Sequence, residues 1–299
     1  MATLLSNMQD VCLELGLPCP NSVVSSADAT TLQLLALMNR SGTILSKERE
    51  WQVLLKDWRF ETVFVQYTGD ITAGSDTITN LSSVAGLTTD FMATGAGIQQ
   101  DSFITSVGVN SAVLSIPATL TTIGATITFG QAQYAMPSDF GRIVDKTEYN
   151  KTNRWSNIGP KNSQEWQWLK ASFVTTGPRM RYRMQDNKFV LWPMPASAVV
   201  MGLEYVSNGW VTSAAGTHKQ KFTADDDTSV FPDDLLILGT KLKFFEIKGF
   251  DTTTLLQDYT RELSKYMGAE AGSDTLSLAP RHADVVLTSH NIPDSGFGA

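Results

Sequence analysis

Ionisable side chains are thin in this chain. Lys, Arg, Asp and Glu make up 18% of its 299 residues, against about 25% in typical globular proteins. Hydrophobic residues stand at an ordinary 42%, so Thr, Ser, Gly and Asn take the place of the missing charge. Between residues 60 and 141 there is no Lys or Arg, and Glu61, Asp70, Asp76, Asp90, Asp101 and Asp139 set that block at −6. Residues 142–192 reverse the sign, with ten basic and four acidic side chains. The formal net charge of −7 therefore conceals an acidic block followed directly by a basic one. That net charge argues against nucleic-acid binding by bulk attraction. Seven Trp, seven Tyr and fourteen Phe exclude a wholly disordered chain, and the length suits about two domains.

Cysteine is almost absent. Cys12 and Cys19 match neither a zinc pair nor a redox pair by spacing, and the expectation is two buried free thiols beside an apolar helix. The three histidines, His218, His282 and His290, lie beside no carboxylate or cysteine at metal-ligand spacing. No run reaches the roughly 18–20 apolar residues of a membrane span. The first residues lack a basic stretch, and Asp10 and Glu14 interrupt them, so a signal peptide is not expected. These absences predict a non-secreted protein of a reducing compartment, with no anchor, no metal and no cofactor.

Helical signals lie at the two ends. Leu4, Met8, Val11, Cys12 and Leu15 form one stripe, closed by Gly16 and Pro18. Residues 27–59 read as one long helical region or as two helices broken near Ser41-Gly42. Asp28 is its N-cap, and the apolar pattern continues through Trp51, Leu54, Leu55 and Trp58. Residues 231–249 read as a helix with Pro232 in its first position, Asp233 and Asp234 at its positive end and Gly249 after it. A further helix is expected from the Asp251 cap to about Met267.

The middle is β in texture. Short β-branched runs separated by Gly, Asn and Asp turns fill residues 69–130, as in a small sandwich or barrel. From 131 to 222 the chain stays mostly β but turns aromatic and basic. Arg179, Arg181 and Arg183 alternate with Met180, Tyr182 and Met184, so the arginines share one strand face. Asp186-Asn187 then turns the chain into a partner strand over 189–192. With Trp155, Trp166, Trp168 and Trp192, the arginine stripe suits a nucleic-acid surface or an acidic protein surface. The acidic block of the same chain favours protein contact, in a ring where one copy's face meets the next.

Catalytic signatures fail in turn. Gly95-Ala96-Gly97 lacks the third glycine of a dinucleotide fingerprint, Gln100 standing in its place. No P-loop lysine, paired-histidine metal helix or nucleophile elbow is present. Asp225-Asp226-Asp227 has Val230 where an EF-hand needs glycine, so a solvated turn is expected, with calcium binding of another kind left open. Residues 270–299 lose periodicity yet keep Leu276, Leu278, Val285, Val286, Leu287, Ile292 and Phe297, the pattern of a tail that orders against a partner. Mobility of that tail until it meets its partner is expected.

Two stretches resemble bacteriophage virion proteins. Pro137-Ser138-Asp139-Phe140, Gly159-Pro160, Trp166 and the Pro232-Asp233-Asp234 helix start resemble the head-to-tail adaptor (connector, or head-completion) proteins of short-tailed phages. The run from Gly69 to Gly130 is similar to a β module inserted in many phage structural proteins. The resemblance implies an α+β fold: a discontinuous helical bundle of N- and C-terminal helices with β-sandwich or barrel insertions and an extended C-terminal tail. Its domains would be an adaptor core of 1–68 and 131–269, an inserted β module of 69–130, and a tail of 270–299. It further implies a non-enzymatic homo-oligomer, a dodecameric ring at the head–tail junction of the virion, made in the host cytoplasm. That ring joins the portal protein to the tail nozzle or tube protein, lines the DNA exit channel with possible non-specific DNA contact, and touches no membrane. Leu276, Leu278, Arg281, Val285, Val286, Leu287, Ile292 and Phe297 would grip the portal. Arg179, Arg181 and Arg183 would form an inter-subunit or channel face. The alternative is a receptor- or glycan-binding tail fibre or spike protein.

Overall fold

The computed structural model describes residues 2–157, 159, 162–171, 180–195 and 197–271. Two compact units divide them. The first draws its described residues from the ranges 1–56, 139–142 and 205–299, the second from 57–138 and 143–204.

The first unit is built on helices. Helix α1 (Leu4–Leu15) starts where the Thr3 hydroxyl accepts the Ser6 amide, and ends at Gly16, whose φ of 67° is the left-handed conformation glycine tolerates best. Helix α2 (Ala29–Glu48) is capped by Asp28, which accepts both the amide and the hydroxyl of Thr31. It runs unbroken through Ser41-Gly42, which decides between the one long helix and the two broken helices that the sequence left open. Gly42 is needed there for close approach: a Cβ on it would lie 2.2 Å from the Trp210 ring. Gly239 is as tight, with a Cβ falling 2.2 Å from the Ser41 hydroxyl.

The helical reading of 51–58 is also corrected. Trp51, Leu54, Leu55 and Trp58 have helical spacing, but only Gln52–Leu54 makes a single 3-10 turn, and Leu55–Glu61 is a strand. Trp51 is fully buried, donates its indole N–H to the Leu45 carbonyl at 2.7 Å and stacks on Tyr266.

Helix α3 (Ser163–Lys170) belongs to the second unit and is described with it. Helix α4 (Asp233–Lys248) begins one residue after the position expected, Pro232 serving as its cap residue, and closes on Gly249 at φ 75°. Helix α5 (Thr253–Ala271) follows the Asp251 turn and continues past Gly268. Helices α1 and α2 pack on α4, and α4 on α5, so chain ends far apart in sequence share one core. The small sheet His218–Lys219, Val211–Thr212, Thr228–Ser229 completes the unit.

The second unit is mostly β. Phe64–Ile71, Thr122–Gln131 and Phe91–Thr94 form one three-stranded sheet, with Val65 opposite Phe129 and Tyr67 opposite Ile127. Thr77–Ile78, Ala112–Leu114 and Ile104–Val107 form another. One cluster of buried side chains runs from Ile71 to Phe129 and takes every member from that contiguous stretch. Among the described residues the sheets are small and none closes into a barrel. The hairpin is present as expected: Arg181–Gln185 pairs with Lys188–Trp192, and Asp186 and Asn187 both have positive φ, as the favoured two-residue turn requires.

Helix α3 lies in the stretch expected to be mostly β. Its start is nevertheless written locally, since Asn162 accepts the Glu165 amide at 2.7 Å and a Glu three residues after the cap is a known start signal. Trp166 is its one buried residue, packed with Met92, Ala132, Val190, Trp192 and Met194. Among the described residues, no helix is long and apolar enough to cross a membrane.

Candidate assembly interface

The arginine stripe lands against its own helix. Arg179 lies outside the described residues. Arg181 sits 3.6 Å from the Glu165 carboxylate, and Arg183 donates to the Ser163 hydroxyl at 2.9 Å. Both partners are on α3. On the other strand face Met180 is buried, and Tyr182 stacks on Phe189 while donating to the buried Glu148 carboxylate. Burial, then the bond to Glu148, pushes the Tyr182 hydroxyl well above its ordinary pKa. Of the four tryptophans grouped with the stripe, Trp166 and Trp192 are core. Trp155 and Trp168 are exposed, Trp168 by 70%.

The opposite charge blocks also meet within one chain. Asp90 receives Lys188 at 2.6 Å and Asp101 receives Lys170 at 2.7 Å. Complementarity read as contact between copies is thus partly met inside the second unit. Lys146, Lys151 and Arg154 make no ion pair among the described residues; they flank the paired strands Tyr149–Asn150 and Trp155–Ser156. Nothing in the spacing marked these three, because it does not say which cations find a carboxylate.

Two of the residues carrying the resemblance, Asp139 and Asp233, hold the fold, while Pro160 lies outside the described residues. The Asp139 carboxylate accepts from Lys56 Nζ at 2.6 Å, Tyr205 Oη at 2.9 Å and Ser207 Oγ at 2.8 Å. Burial raises this carboxyl, but the three donors outweigh it and hold it below its ordinary range. Asp233 accepts the Ala2 amide and the Asn7 side chain, tying the chain start to α4.

The aspartate triplet corrects the expectation of a solvated turn. Asp227 is fully buried, paired with Lys219 at 2.9 Å and bonded to the amides of Thr223 and Ala224. Asp225 accepts the amides of Val23 and Val24 and the Ser22 hydroxyl. Asp225 is half-buried and Asp226 is exposed. Among the described residues no group of three or more His, Cys, Asp and Glu gathers to hold a metal.

Helix α5 has two contrasting faces. Tyr266 stacks on Trp51, Glu270 accepts the Val53 amide and Met267 offers its carbonyl to Arg49. Away from that face, Leu256, Gln257, Thr260, Arg261 and Ser264 line a shallow depression. The residues expected to grip a portal, Leu276, Leu278, Arg281, Val285, Val286, Leu287, Ile292 and Phe297, lie outside the described residues.

Against this geometry, the SU10 adaptor protein family matches residues 98–283, more than half of the chain. The chain belongs to the SU10 adaptor protein family. No curated protein matches it. As an SU10 adaptor it is a phage structural protein, and the match takes in Asp139, α3, the 181–192 hairpin, the buried Asp227, α4 and α5. The SU10 match begins at residue 98, inside the stretch whose core runs from Ile71 to Phe129.

Proposed function

We propose that the protein forms a homo-oligomeric ring, a dodecamer, that joins the portal vertex of a phage head to its tail and surrounds the DNA exit path. The observation that carries this reading is the adaptor-family match over residues 98–283. In this reading the helical unit is the portal-facing part, and α5 leads directly into the segment 270–299, whose spaced apolar residues bind the portal. Residues 69–130 are an inserted β module that contacts the tail component, in keeping with their own buried core. The adaptor core comprises 1–68 and 131–269.

The charge findings refine the contact surfaces. Arg181 and Arg183 are braced by α3, which presents them in fixed geometry to a neighbouring copy or to DNA. Lys146, Lys151 and Arg154 add cations that form no ion pair among the described residues, and a channel face needs available cations to meet phosphate. Electron microscopy of the purified protein, alone and with its portal, tests the reading. A ring that stacks on the portal is expected, and loss of stacking on deleting 270–299 assigns the tail its role. Trimers that ignore the portal would instead favour a receptor- or glycan-binding tail protein.

A further inference from the structure

A cavity of about 450 Å³ lies between the end of α1, the connection 16–28 and the start of α2, and both cysteines of the chain line it. Cys12 is buried, whereas Cys19 is exposed, which corrects the expectation of two buried thiols. The connection doubles back along α1. The Gln9 side-chain amide donates to the Pro20 carbonyl at 3.1 Å, and the Cys19 Sγ lies 3.9 Å from the Gln9 carbonyl. In a helix that carbonyl accepts the N–H four residues on, here that of Leu13, whose peptide begins at Cys12. The Cys19 thiol is therefore held against the helical turn that carries Cys12. Pro18 and Pro20 restrict the backbone on either side of Cys19. Asp225 anchors the same connection further on, through Ser22, Val23 and Val24.

We infer that Cys12 and Cys19 form an oxidisable dithiol, and that a disulfide between them closes across this cavity and staples the connection to α1. The oxidant is a small-molecule disulfide of the glutathione type. The exposed Cys19 thiolate attacks one sulfur of that oxidant, breaking its S–S bond and releasing one thiolate. Cys12, as thiolate, then attacks the Cys19 sulfur of the mixed disulfide and releases the second. The protein loses two S–H bonds and gains one S–S bond. The oxidant's S–S bond becomes two thiols, which take up the two protons. Burial first, then the neighbouring Cys19 and Asp28, push the Cys12 thiol above its ordinary pKa. Cys12 is thus a poor first nucleophile, and the exposed Cys19 leads. The two sulfurs differ in role because they differ in access. Such a pair stays reduced in a reducing cytoplasm and oxidises outside it.

The test treats the full-length protein with oxidised glutathione and reads intact mass and non-reduced peptide maps. Wild type is expected to lose two hydrogens, yield a Cys12–Cys19 linked peptide and keep no adduct. Cys12→Ala is expected to retain one glutathione on Cys19, and Cys19→Ser to take up none. The oxidised wild type should also melt at a higher temperature than the reduced form, a rise absent from Cys19→Ser. Wild type that accumulates the Cys19 adduct without a linked peptide, or that does not react, overturns the inference. Should Cys12→Ala fail to fold, the wild-type map beside Cys19→Ser still decides it.

Discussion

The β stretch between Ile71 and Phe129 and the helical unit are stabilised in opposite ways. The first takes every residue of its buried cluster from one contiguous run, carries no cation of its own, and turns on Asn, Asp and Gly. The second assembles helices from both ends of the chain and is held by directional polar contacts: Asp233 ties Ala2 and Asn7 to α4, Asp139 joins Lys56 to Tyr205 and Ser207, and the buried Asp227 fixes its own loop through Lys219. A local core needs only its own hydrophobic alternation. A core drawn from distant segments also needs directional contacts, because hydrophobic burial alone does not choose which distant segment arrives where.

That contrast is open to breakage. Phe129→Ala is expected to have the largest effect, destabilising the β stretch by about 4 kcal/mol through lost burial and the cavity left behind. Chemical denaturation should show the loss, and limited proteolysis should cut first between residues 71 and 129 while the helical unit resists. Cleavage in both regions together would show that the β core is not autonomous.

Asp139→Ala comes next, at about 2 kcal/mol, since it strands the Lys56 ammonium and two hydroxyls. Here the helical unit should yield first. The wild-type protein carries a pH signature of the same clip. The folded pKa of Asp139 is lowered, as is that of Asp227. Their stabilisation is therefore fully present above the unfolded value of about 4 and is lost as pH falls through the lower folded value. Melting temperature against pH should fall on the acid side in wild type, and less steeply in the Asp139 variant. An identical slope in both would remove Asp139 from the account.

Asp90→Asn is the smallest. It removes a partly exposed pair with Lys188, worth under about 1 kcal/mol. Melting temperature should barely move, and a large drop would mean that the charge blocks hold the second unit more firmly than its sheets do.

Much of the local structure was legible in the residues. The α1 stripe with Gly16, the Asp28 cap, the acidic start and glycine end of α4, and the Asp186-Asn187 hairpin all rest on contacts within a few residues. Illegible were features set by distant partners. Gly42 reads as a breaker until Trp210 is seen against it. The spacing of Trp51 to Trp58 suits a helix, yet the chain there serves first as a buried indole under Tyr266 and then as a strand. The start of α3 was legible in Asn162 and Glu165 and lay masked by the β texture around it. Of the candidate interface, the alternation of Arg181 and Arg183 was visible, but their partners Glu165 and Ser163 were not.

The sequence by itself determined the ends of α1, the Asp28 cap of α2, the bounds of α4 to within a residue and the Asp186-Asn187 turn, that one stretch carries no positive charge, and that the chain resembles phage adaptors. Those are properties of neighbours along the backbone, governed by capping, alternation and composition. Only the tertiary structure decided which acids meet which bases, why Asp139, Asp227 and Asp233 matter, and that Cys12 and Cys19 line one cavity. Asp139 and Asp233 meet partners many tens of residues away, while Asp227 and the Cys12–Cys19 pair depend on short chain reversals that spacing does not announce.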